Sequence, residues 1–229
     1  MKRIDLSNGC RAIRQACSKR FASCSGQSTT PEPALIEVQP PATIEEIVRI
    51  EDLLGIPIPT SMRRVLATIT KGVEIDWQLP EGIDPPEPIS SVSYSSFKWS
   101  LDTLVEMERK RGEWVHHCFS NLSDPYDAVW HRKLAIISVP NGDMHAIDLS
   151  RSDGPVVYLS HDDGEGHGYT MGKNFEDYLE RMIALGAPGP EDWLLVPFVE
   201  SATSGIDPDG SNGMLWRKWF GLIEESPKN

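Results

Sequence analysis

The stretch LSHDDGEGHGYTMG, residues 159–172, crowds His161, Asp162, Asp163, Glu165 and His167 together. Two imidazoles and three carboxylates could hold a divalent ion, and a metal-dependent hydrolase using His161, Asp162, Asp163 and His167 is one reading. Zinc ligands sit at i and i+4 on a helix or converge from separate elements. Here Gly164, Gly166 and Gly168 break any helix and the two histidines are six apart. A calcium loop needs oxygen ligands at regular alternate positions, which this stretch lacks. It therefore reads as a solvated, glycine-loosened acidic loop at the edge of a sheet. His161 continues the alternation Val157, Leu159, His161 and is expected to tuck under the loop.

A nucleophile is equally hard to find. There is no GxSxG turn, no Walker GK[ST], and no GxGxxG after a strand. Cys118 follows His116 and His117, but neighbours in sequence do not make a Cys–His dyad. Asp207-x-Asp209 lacks the distant glutamate of a calcium loop and reads as a capping turn. No catalytic residue, metal or cofactor is expected.

The chain of 229 residues carries a net charge of −12. Lys2, Arg3, Arg11, Arg14, Lys19 and Arg20 against Asp5 give the first 24 residues +5, so the remaining 205 carry −17. A body of that charge repels nucleic acid and attracts a basic protein surface. No apolar run reaches the ~18 residues of a membrane span, and the basic start has no apolar core like that of a secretory signal. Cys10, Cys17 and Cys24 recur every seven residues, which is no zinc spacing. Reduced thiols and a cytoplasmic location follow.

The elements that must position these residues are readable in part. Residues 1–40 read as a basic, Cys-containing flexible tail with a Pro/Ser-rich linker, and 41–229 as the folded domain. Thr43 and Glu46 form a capping box for a helix with Ile44, Ile47, Val48 and Leu54 at helical spacing, ended by Gly55. Thr60 is expected to cap a second helix that stops at Gly72. Residues 73–99 read as a long loop with a short strand at EIDWQL, and Asp84 and Glu87 lie on its Pro-rich part. Ser100 is expected to cap a third helix that ends at Gly112. KLAIISVPNGDMHAIDLS is a hairpin, and a type I′ turn at Asn141–Gly142 would set Val139 against Met144 and Ala135 against Asp148. PVVYLS is a further strand, Asn174 caps a helix closed by Gly186, and a short helix carries Trp216 and Trp219 near the end. The order predicts a single-domain α+β fold with an antiparallel, mainly meander sheet of about four to six strands packed with helices.

These parts, IEEIVRIEDLLGIPIPTSMRRVLATITKG, Trp77, LAIISVPNGDMHAIDLSRSDGPVVYLSHDDG and NFEDYLERM, resemble the SUKH superfamily in order and type. The resemblance covers about residues 41–186. Its members are relatives of fungal cell-wall assembly regulators and are often bacterial immunity proteins. The matching positions are Gly55, Pro59, Gly72, Trp77, Gly142, Asp143, Asp148 and His161, and the resemblance implies that they define the fold. It also implies a non-catalytic binding module, commonly one that neutralises a toxin by docking on it. The alternative is a housekeeping scaffold of the regulator type. The −17 body suits a toxin with a basic surface, and Asp84, Glu87, Asp162, Asp163 and Glu165 are the expected partner-binding residues. Removing the tail up to Pro40 is expected to shift melting by only a few degrees.

Overall fold

The computed structural model describes residues 5–22 and 34–224. The first helix, α1 (Leu6–Ala22), corrects the reading of a flexible tail. Leu6, Cys10, Ile13 and Cys17 are spaced four, three and four apart, so they form one helical stripe, and with Ala16 all are buried. Asp5 caps the helix by accepting from the Asn8 N–H (3.0 Å). A short strand, β1 (Leu35–Val38), follows. Cys24 and the first part of the expected linker lie outside the described residues.

Helix α2 (Ile44–Leu54) has the capping box at Thr43 and Glu46 and a left-handed Gly55 (φ 68°). Helix α3 (Thr60–Thr68) has Pro59 as its N-cap, with no side-chain cap bond; Thr60 already lies inside it. Gly72 does not stop this helix but opens β2 (Gly72–Gln78). Strand β2 takes up the short strand expected at EIDWQL, and β3 (Tyr94–Ser100) replaces the end of the expected long loop. Val73, Ile75, Trp77, Phe97 and Trp99 alternate inward along the two strands. The first sheet is a meander, β1–β2–β3, with Ile36 opposite Ile75 and Ile75 opposite Phe97.

A 3₁₀ turn (Leu101–Thr103) leads into α4 (Leu104–His117), which passes through Gly112 rather than ending there; Ser100 makes no capping bond. A short α5 (Pro125–Trp130) precedes a second meander of β4 (Lys133–Ser138), β5 (Met144–Asp148), β6 (Val156–Leu159) and β7 (Thr170–Gly172). The fold is α+β, with two antiparallel sheets of three and four strands where the sequence suggested one.

The β4–β5 turn also differs from expectation. The Gly142 N–H donates to the Val139 carbonyl (3.0 Å), and Val139 N–H to the Asp143 carbonyl (2.8 Å). Gly142 has φ 106°, while Asn141 keeps a negative φ. Pro140 has its φ fixed near −65°, which suits the first central position of a type I turn. The loop therefore has three residues, with Gly142 as a bulge. Ser138, not Val139, faces Met144, and an irregularity between Ala135 and Ile137 brings Ala135 opposite Ala146.

Helix α6 (Phe175–Ala184) is capped by Asn174 and followed by a left-handed Gly186. Then come α7 (Asp192–Leu195), a 3₁₀ turn (Val196–Phe198) and α8 (Ser211–Phe220). The main core lies between the first sheet, one face of the second, and α1, α2, α3, α6 and α8. A smaller cluster (Met107, Phe119, Trp130, Ala135, Met144, Ala146, Val157, Leu159) fills the space under α4 and α5.

Candidate protein-docking face

The acidic loop leaves β6 at Ser160, and that residue is held on every side. Its carbonyl accepts from the Tyr126 hydroxyl (2.7 Å) and the Trp130 indole N–H (3.1 Å). Its own N–H donates to His167 Nδ1 (3.0 Å), and its Oγ accepts from Gly164 N–H (2.9 Å). With Nδ1 accepting, the His167 proton is on Nε2, which donates to the Tyr126 carbonyl (3.1 Å). The ring stacks on Tyr126 with centroids 3.6 Å apart. Burial lowers the pKa of His167, so its neutral form is favoured.

His161 faces elsewhere. Its Nδ1 meets Asp143 Oδ1 at 2.7 Å, and its backbone N–H donates to the same oxygen (2.8 Å). Asp143 Oδ2 accepts from the Tyr158 hydroxyl (2.6 Å) and the Asn141 amide (2.8 Å). Asp143 is 1% exposed. Burial would raise its pKa, but the bonds from Tyr158, His161 and Asn141 outweigh that and hold it below the ordinary carboxylate range. The carboxylate thus ties the hairpin tip to the root of the acidic loop.

The ligand set considered from sequence does not assemble, because both nitrogens of His167 are spent on backbone groups. Asp143, His161 and Asp162 come together instead, with one ligand atom of each within 4.8 Å of the others. A cation there would have to displace hydrogen bonds that now occupy both oxygens of Asp143.

Asp162, Asp163 and Glu165 are exposed on this loop. The glycines do not loosen it. A Cβ on Gly164 would lie 2.6 Å from Asp192 Oδ2, and one on Gly166 would lie 2.8 Å from Asp192 Cβ. They let the loop press against α7, where Gly166 N–H donates to Asp192 Oδ2 (3.1 Å). Asp192 N–H donates to the Tyr158 hydroxyl (3.1 Å), joining α7 to the Asp143 network.

The second acidic loop reaches the same helix. Asp84 and Glu87 are exposed, and Ser91 Oγ donates to the Trp193 carbonyl (2.9 Å). Both loops are therefore hydrogen-bonded to α7. No lysine or arginine occurs in residues 79–97, 153–172 or 182–216, the segments that carry the two loops and α7. Sequence reading missed α7 and missed Tyr126, which lies over thirty positions before the loop it supports.

The other positions singled out from sequence have plain places. Asp148 sits 3.6 Å from Lys133 and opposite it in register. Trp77 is buried, and its indole N–H donates to the Gly186 carbonyl (2.8 Å). Asp207 Oδ1 accepts from Asp209 N–H (3.0 Å), forming a turn before α8. No helix among the described residues is long and apolar enough to cross a membrane.

No curated protein and no solved structure matches the chain. Residues 41–181 match the model of the SMI1/KNR4 family (SUKH-1). That span exceeds half of the chain and holds the capped α2, the hairpin, the Asp143 network and the acidic loop, so the protein belongs to the SMI1/KNR4 (SUKH-1) family.

Proposed function

We propose that the protein is a non-catalytic binding module of the immunity type, which neutralises a toxin with a basic surface by docking on it in the cytoplasm. One observation carries this reading: two carboxylate-bearing loops are hydrogen-bonded to one short helix, and the segments that carry all three hold no lysine or arginine. Such a field speeds encounter with a cationic partner and orients it, while closer contacts set the lifetime of the complex. The hydrogen bonds under the loop support the same reading. They hold the carboxylates of Asp162, Asp163 and Glu165 at the surface while spending the imidazole nitrogens of His167 on structure. A regulatory scaffold without a toxin is the rival within the family.

The test uses the polypeptide encoded next to this gene, with stopped-flow association measured over a salt series. Replacing Asp162, Asp163 and Glu165 by Asn, Asn and Gln is expected to slow association and flatten its dependence on salt. Kinetics that do not change would remove this face from docking, and a neighbouring product that does not bind would favour the scaffold. Stoichiometric zinc or manganese retained by purified protein and lost in His161→Ala would replace the proposal by a metal-dependent one, built on Asp143, His161 and Asp162.

A further inference from the structure

The seven tryptophans are not equally placed. Trp77, Trp99, Trp130 and Trp216 are buried, and Trp114 and Trp219 are partly covered. Trp193 is 49% exposed. It is not needed to hold α7 down, since Leu194 and Leu195 beside it are fully buried. Its backbone is nevertheless fixed from both sides: the N–H donates to Asp192 Oδ1 (2.8 Å), and the carbonyl accepts from Ser91 Oγ. A large apolar ring is thus presented to solvent on a rigid support, on the helix to which both acidic loops are hydrogen-bonded.

This setting selects its occupant. An indole has an electron-rich face that attracts a cation, and surrounding carboxylates deepen the attraction. A guanidinium group stacks on an aromatic face and can still hydrogen-bond to carboxylates at its rim, which an ammonium does less well. A second copy of this chain would bring the same carboxylates against themselves in a two-fold contact, so self-association is disfavoured. We infer that Trp193 is the anchor of the docking face and that it receives an arginine side chain of a basic protein segment, whose neighbouring cations meet the two acidic loops. This rests on the protein-binding reading and names the chemistry of the partner.

The test uses the full chain labelled with fluorotryptophan, with the Trp193 signal assigned by Trp193→Phe. It is titrated with an arginine hexamer and a lysine hexamer at low and at high salt. The Trp193 signal is expected to move most with the arginine peptide. Trp193→Ala is expected to weaken that peptide about tenfold and the lysine peptide less. Neutralising Asp162, Asp163 and Glu165 should weaken both alike. Arginine-peptide binding that survives Trp193→Ala would overturn the anchor while leaving the acidic face standing. An equal loss for both peptides would overturn the arginine assignment. If neither peptide binds in a salt-dependent way, the anchor and the acidic face fall together.

Discussion

The α1–α6–α8 side and the α7 side of the molecule use the same residue types to opposite ends. On the first, Trp77, Trp216 and Phe220 stack in the core, with Trp216 and Phe220 centroids 4.7 Å apart. Gly9 lets α1 close onto α6, where a Cβ would lie 2.2 Å from Ile183 Cγ2. On the second, the aromatic ring is outside, and the glycines bring a charged loop close to a helix end. The first side buries apolar area and supplies stability. The second spends buried hydrogen bonds on holding charge at the surface, which stabilises little and prepares a contact. The elements α1, β1, α7 and α8 all lie outside the span that matches the family, so both sides are completed by parts beyond that span.

If the first side is structural, breaking it should cost most. A chain that begins at Pro41 loses α1 and β1 and exposes the surface beneath them. Melting should fall by about 10 °C or more, reversing the few degrees expected for a tail. Calorimetry decides it, and a shift of a few degrees would restore the tail. Ile13→Ala tests the same contact in the intact chain and should cost about 2–5 kcal/mol.

A smaller effect should come from below the second side. His145 is fully buried between the Tyr178 hydroxyl (2.8 Å) and the Pro190 carbonyl (2.7 Å). Burial depresses its pKa to about 4, against an ordinary value of 6.5. A depressed histidine contributes stability that is complete above pH 6.5 and is lost as pH falls toward 4. The loss is about 3 kcal/mol. Urea denaturation across that window should show it, and His145→Gln should flatten the slope. An equal slope in both proteins would assign the loss to other groups.

The smallest effects should separate packing from charge within the acidic loop. Gly166→Ala, forced against Asp192, should cost about 1–3 kcal/mol. Neutralising Asp162, Asp163 and Glu165 together should change stability by no more than about 0.5 kcal/mol. A triple variant that unfolds more easily than Gly166→Ala would mean that these carboxylates hold the loop, and the contrast between the two sides would fail.

The division is also visible in what the sequence disclosed. Thr43 with Glu46, and Asn174 before α6, are local capping signals, and they were legible because each needs only neighbours within one turn. Helix α1 was missed because two of its four stripe positions are cysteines, read for metal spacing rather than as small apolar residues. The strand expected at EIDWQL is β2, but β3 was missed because the prolines and glycines before it outweighed the alternation Ser95, Phe97, Trp99. The hairpin was found but its register was not, since Pro140 chose the turn. At the docking face the loop charges were legible. The bond of Asp143 to His161 and the meeting of both loops at α7 were not, because they depend on tertiary contacts between segments far apart in sequence.

The buried stripe of α1 makes the helix report on itself. Cys10 and Cys17 are buried, burial raises both thiol pKa values, and that of Cys17 is pushed up to about 12. In the docked state neither offers thiolate to an alkylating or oxidising reagent, whereas Cys118 is exposed. Each lift of the helix would open the pair to reaction for as long as it lasts, so their modification rate is a clock for undocking, with Cys118 as the internal standard. Once adducts stand at Cys10 or Cys17, the stripe no longer fits its seat, and a transient opening becomes a latch.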